Sequence, residues 1–205
     1  MLWVIGGVLA LLAGVALLAA VELRAWRLAP RSIVAPLFRW HDGLTALQSA
    51  LLLPFALRLS LITSQRSSSG WLAAVVAGTS LLAIAILEAL RFINVGPDTL
   101  YMLPQGVLGA WVIMISRRTA GTSPGVWRLG VPTGLGLLLI AGSLAAVLLY
   151  FGSDVFAGTI RNPDRYGQLI NRAAHYTLRI GSYPGRLGLP IWVLLVAREL
   201  RYRSI

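Results

Sequence analysis

The chain has 205 residues, of which 57% are hydrophobic and 12% charged, and its mean hydropathy is +0.76. An ordinary soluble domain carries roughly 25% charged residues, so this composition excludes a soluble globular enzyme and a disordered chain and leaves a polytopic helical membrane protein. The net charge is +11, all 18 basic residues are arginine and there is no cysteine. Those absences exclude lysine Schiff-base and P-loop chemistry, disulfides, thiolate metal sites, Fe–S clusters and c-type haem.

In chain order, the first apolar run covers residues 1–21 and closes on Glu22, Arg24 and Arg27. It lacks the positively charged start of a secretory signal peptide and reads as a transmembrane helix. Residues 22–40, with Pro30, Pro36, Trp26, Phe38 and Trp40, read as an interfacial linker. Further spans are expected at 43–63, 71–91, 99–116 and 128–151, each near the ~20 residues that cross ~30 Å of hydrocarbon. A polar loop around Arg161 and Asp164 follows.

The sixth span, at 178–199, is the irregular one. Its clean apolar part, Leu187 to Ala197, is too short to cross alone, and Ser182-Tyr183-Pro184-Gly185 precedes it. The span is either a broken helix, tolerated where protein or a wet cavity satisfies the freed backbone, or a short helix with Arg186 reaching to the interface. The expected architecture is all-α: one transmembrane domain, residues 1–205, of about six helices. Small residues mark packing seams at Gly6/Ala10/Gly14, Ala74/Gly78, Gly106/Ala110 and Gly142/Ala146.

Six spans place both termini on one face. That face receives eight arginines and a single acid, Glu199, while the opposite face receives ten arginines, six acids and both histidines. The nearly acid-free face is read as cytoplasmic, in a bacterial-type inner or plasma membrane. Arginines at the ends of apolar runs, without a basic stretch interleaved with aromatics, point to anionic lipid headgroups and exclude a nucleic-acid partner.

The acid-bearing face collects the polar candidates. Asp42, Thr45 and Ser49 share one helical face, as do His41, Thr45 and Gln48. Asp42 in His-Asp-Gly is also a candidate N-cap. Glu88 and Arg91 are three apart on one helix and can pair. Tyr101 and Gln105 open the fourth span. Arg172, Tyr176, Arg179 and Tyr183 form an Arg/Tyr stripe beside His175, suited to a carboxylate, phosphate or lipid headgroup. The candidate ligand-binding set is therefore Asp42, Gln48, Glu88, Arg91, Tyr101, Gln105, Arg172, His175, Tyr176, Arg179 and Tyr183.

No catalytic motif is present and no cofactor is expected. His41 and His175 are nevertheless the pair that a b-type haem or a metal would use. The leading functional expectation is a pocket that binds or moves a small anionic or amphipathic ligand, such as a lipid headgroup. The alternatives are a non-catalytic subunit of a larger membrane assembly or homo-oligomer, and a haem or metal enzyme built on the two histidines.

Overall fold

The computed structural model describes residues 2–25, 30–64, 69–95, 99–119, 123–152, 154–157 and 164–203. Trp26, Arg27, Asp98 and Arg161 lie outside the described residues. The described chain is helical: α1 (Leu2–Ala25), α2 (Arg31–Ser64), α3 (Ser69–Phe92), α4 (Met102–Arg118), α5 (Pro124–Phe151), the short α6 (Asp154–Ala157), α7 (Arg165–Ser182) and α8 (Gly188–Arg203). A π-helical turn, Tyr183–Leu187, joins α7 to α8 without a break.

This is an all-α membrane bundle. Among the described residues, five helices are long and apolar enough to cross a bilayer, counting Arg165–Leu200 as one. Helix α4, with 17 residues, stands at the lower limit for a crossing, about 25 Å long at ~1.5 Å per residue. The bundle closes on itself: α1 packs on α2 and α8, α2 on α3, α3 on α4, α4 on α5, and α5 on both α7 and α8.

Local chemistry explains the helix ends. Asn94, with φ 58°, ends α3: its N–H donates to the Arg91 carbonyl, and that of Val95 to the Leu90 carbonyl. This double closure is a Schellman cap, and asparagine tolerates the left-handed backbone it requires. Asp164 caps α7 by accepting from the Gly167 N–H at 2.7 Å, and Tyr150 Oη donates to the same carboxylate at 2.9 Å. Pro124 opens α5, where its missing N–H costs nothing.

Two expectations change. Residues 31–40 belong to α2, which carries Pro36 and Pro54 within its length. Asp42 therefore lies inside a helix rather than at its N-cap. The irregular stretch before the last apolar run is a π turn, so the chain neither unwinds nor stops there. Pro184 has no N–H to give the carbonyl four residues back, and the wider turn absorbs the mismatch.

Glycine sets how closely the backbones approach at two seams. A Cβ on Gly109 would lie 2.6 Å from the Gly134 carbonyl, joining α4 to α5, and one on Gly136 would lie 2.5 Å from the Gly185 nitrogen, joining α5 to the π turn. Of the small-residue pairs expected from the sequence, Gly106 packs on Ala141, whereas Gly142 faces open space and Ala110 is exposed.

The interior divides into two halves. Toward the chain termini, Leu52, Phe55, Leu59, Leu81, Trp111 and Trp192 belong to one large apolar cluster. The two indoles meet edge to face, with ring centres 5.7 Å apart. Toward the opposite end, a smaller apolar cluster with Met102, Leu137, Ile140 and Leu144 lies beside buried charged and polar side chains.

Candidate functional site

The polar half is built from four elements. Helix α2 contributes His41 and Asp42, one turn above Thr45 and close to Gln48 and Ser49, and all five are buried. Helix α3 contributes Glu88 and Arg91, held one turn before its cap. Tyr101 and Gln105 come from the start of α4, and Arg186 comes from the π turn. Arg186 is 7% exposed and Glu88 is fully buried.

The two guanidiniums are treated differently. Arg91 Nη1 lies 3.1 Å from Asp42 Oδ1 and 3.1 Å from Glu88 Oε2, so one arginine serves both carboxylates. Its guanidinium also stacks on the Tyr101 ring, 4.5 Å from the ring centre, an arrangement that adds cation–π attraction. Among the described residues, Arg186 donates its hydrogen bonds to neutral acceptors: from Nη1 to His41 Nε2 at 2.6 Å, and from Nη2 to Tyr101 Oη at 3.2 Å and Gln105 Oε1 at 3.3 Å. Among the described residues, no carboxylate lies within ion-pair distance of Arg186.

These bonds fix the imidazole. His41 Nε2 accepts from Arg186, so the ring proton is on Nδ1, which donates to the Ala13 carbonyl at 3.0 Å. His41 is thus a neutral hydrogen-bond bridge. Its 3.8 Å approach to Glu88 Oε1 is a near contact and not an ion pair, because a lone pair and not a proton faces that oxygen.

Among the described residues, the buried Glu88 Oε1 and Arg186 Nε have no hydrogen-bond partner. Such atoms are rare in folded proteins and mark strain, function or bound water and ions. Next to them lies a cavity of about 30 Å³ lined by Gly14, His41, Gln48, Gln105, Leu137 and Arg186, among others. It has room for about two water molecules.

His41, Asp42 and Glu88 offer ligand atoms within 4.8 Å of one another. The donor set alone suits a divalent cation. Its surroundings do not: the His41 lone pair is engaged by Arg186, and two guanidiniums add positive charge at contact distance. A cation would have to displace Arg186.

The sequence-selected residues separate into three places. Asp42, Gln48, Glu88, Arg91, Tyr101 and Gln105 converge in the core, joined by His41. Arg179 and Tyr183 form a second cluster on α1: Arg179 grips Glu22 through both carboxylate oxygens, from Nε at 2.9 Å, and Tyr183 Oη donates to Glu22 Oε1 at 2.6 Å. Arg172, His175 and Tyr176 lie exposed on α7. His41 and His175 therefore do not line a common pocket.

Arg186 was not among the candidate residues: the sequence left open a broken helix around it or a short helix with Arg186 reaching to the interface. Arg172, Arg179 and Arg186 are spaced by seven, which puts them on one face of an unbroken α-helix. The π turn shifts that phase and carries Arg186 into the bundle. Gly136 and Gly185 let the turn lie against α5, and Gly14 lets α1 approach the Arg186 carbonyl.

No family model, curated protein or solved structure matches the chain.

Proposed function

We propose that this membrane protein binds, and passes part-way across the bilayer, a small inorganic anion held by Arg186. The supporting observation is a buried guanidinium that lines a cavity, donates its hydrogen bonds to neutral acceptors and keeps one donor unspent. Intramembrane ionisable residues are expensive and are functional by default. The size of the cavity narrows the ligand to a halide- or nitrate-sized anion, since a lipid headgroup needs more room. The apolar cluster beyond it closes the other half of the bundle, so access is from the polar side. We place the chain in a bacterial-type inner membrane with its termini cytoplasmic, on the strength of the nearly acid-free arginines at that face.

The test is thermal unfolding of detergent-purified protein in chloride, in nitrate and in gluconate. A ligand at 100 times its Kd stabilises the folded state by about 2.7 kcal/mol. Chloride and nitrate should raise Tm and gluconate should not, and Arg186→Gln should lose the effect while Arg172→Gln keeps it. Equal Tm in all three salts for the native protein sinks the reading.

A second reading, a subunit of a larger assembly or a homo-oligomer, is favoured by α7. Tyr166, Leu169, Ala173, Tyr176 and Ile180 repeat at three- and four-residue steps and are exposed, the spacing of a helix-pairing seam. The neighbouring exposed Arg172 and His175 suit anionic headgroups or an acidic partner. Native mass spectrometry in mild detergent separates a monomer carrying lipid from a stable complex.

A further inference from the structure

The anion reading has a second half, which rests on it and concerns the carboxyl group beside the cavity. Glu88 Oε1 and the Arg186 guanidinium both lie near one atom, His41 Nε2, at 3.8 Å and 2.6 Å respectively. Glu88 is faced by His41 and Asp42 from α2, by Arg91 from its own helix, and by Arg186 from the π turn; Tyr101 of α4 lies against the Arg91 guanidinium. With His41 neutral, this group holds two guanidiniums and two carboxyls. It is electrically balanced while both carboxyls are ionised.

An anion entering beside Arg186 upsets that balance in a medium that screens charge poorly. It also comes near Glu88 Oε1, another negative atom, which lies 3.8 Å from His41 Nε2. A proton on that oxygen removes both difficulties, because it restores the balance and replaces a repelling lone pair with an O–H. The other groups are less suited to take the proton. His41 Nδ1–H is spent on the Ala13 carbonyl, and a proton on His41 Nε2 would break its bond from Arg186. Asp42 Oδ1 is held at 3.1 Å from Arg91.

We propose that the anion at Arg186 and a proton on Glu88 Oε1 bind together, one for one, so that the site takes up the elements of an acid and not a bare anion. The proton comes from water on the open side, no bond other than O–H forms, and release of the anion returns it.

Chloride titration calorimetry on the detergent-purified protein, repeated across mildly acid to mildly alkaline pH, tests this. In the native protein the chloride affinity should fall about tenfold per pH unit on the alkaline side, the slope of one linked proton. Glu88→Gln should bind chloride at every pH with the affinity of the acid limb. Should that variant misfold, chloride added to native protein in weakly buffered solution still reports the coupling, as uptake of one proton per anion bound. Chloride binding that ignores pH and takes up no proton overturns the coupling and leaves the anion site standing. A pH slope that survives in folded Glu88→Gln assigns the proton elsewhere and also overturns it. Absence of chloride binding at all pH values, in both proteins, overturns the anion site and the coupling together.

Discussion

Both halves of the bundle bury polar groups, and they do so under opposite terms. In the apolar half each indole N–H has a single neutral acceptor: Trp111 donates to Ser60 Oγ and Trp192 to Ser116 Oγ, each at 2.9 Å. Both hydroxyls are themselves buried. In the other half, charge is gathered around one shared arginine while Glu88 Oε1 and Arg186 Nε are left over. A buried network with every member satisfied rigidifies a core, whereas a partly satisfied one costs stability that apolar packing would not. The first half is built like a scaffold, and the second retains buried polar atoms without a hydrogen-bond partner.

The comparison breaks most readily at Arg91. Arg91→Leu strands two carboxylates, Asp42 and Glu88, and should cost about 3–5 kcal/mol, read as a fall in the unfolding midpoint in detergent. The triple change Asp42→Asn, Glu88→Gln, Arg91→Met should recover most of that loss, because a buried ion cluster replaced as a whole is often neutral or stabilising. Failure to recover would mean that the charges are structural and the contrast between the halves is false. Ser60→Ala leaves the Trp111 N–H without its acceptor and should cost about 1–3 kcal/mol, with no effect of chloride on the size of the loss. At the small end, Arg172→Gln on the exposed face of α7 should move stability by less than about 0.5 kcal/mol.

Much of the polar half was legible from spacing alone. His41, Thr45 and Gln48 recur at helical steps, as do Glu88 and Arg91, and an even number of crossings brings those ends together. Those inferences need only the α-helical period and the count of apolar runs. Two features were not legible. The pairing of Glu22 with Arg179 joins residues 157 positions apart, and no local pattern encodes it. Arg186 was hidden for a different reason: projecting the period of seven from Arg172 assumes an unbroken α phase, and Pro184 marks the place where that assumption fails. The Ser-Tyr-Pro-Gly stretch did signal an irregularity, yet its sign and size follow from how closely Gly185 can lie against Gly136. The serines that serve the two tryptophans were likewise unremarkable in sequence, because a serine in an apolar helix also satisfies itself on its own backbone.

The π turn has a consequence for how this site can be lost or acquired. Such a turn is an α-helix carrying one residue more than its hydrogen-bond ladder accommodates. Deleting a single residue from Tyr183–Leu187 would restore the ladder and rotate α7 against α8 by ~100°. The apolar runs, the caps and the composition would scarcely change, yet Arg186 and the Arg179 grip on Glu22 could no longer both be in place. A chain of nearly the same sequence could thus fold as the same bundle with no guanidinium beside the cavity, and one codon would separate the two.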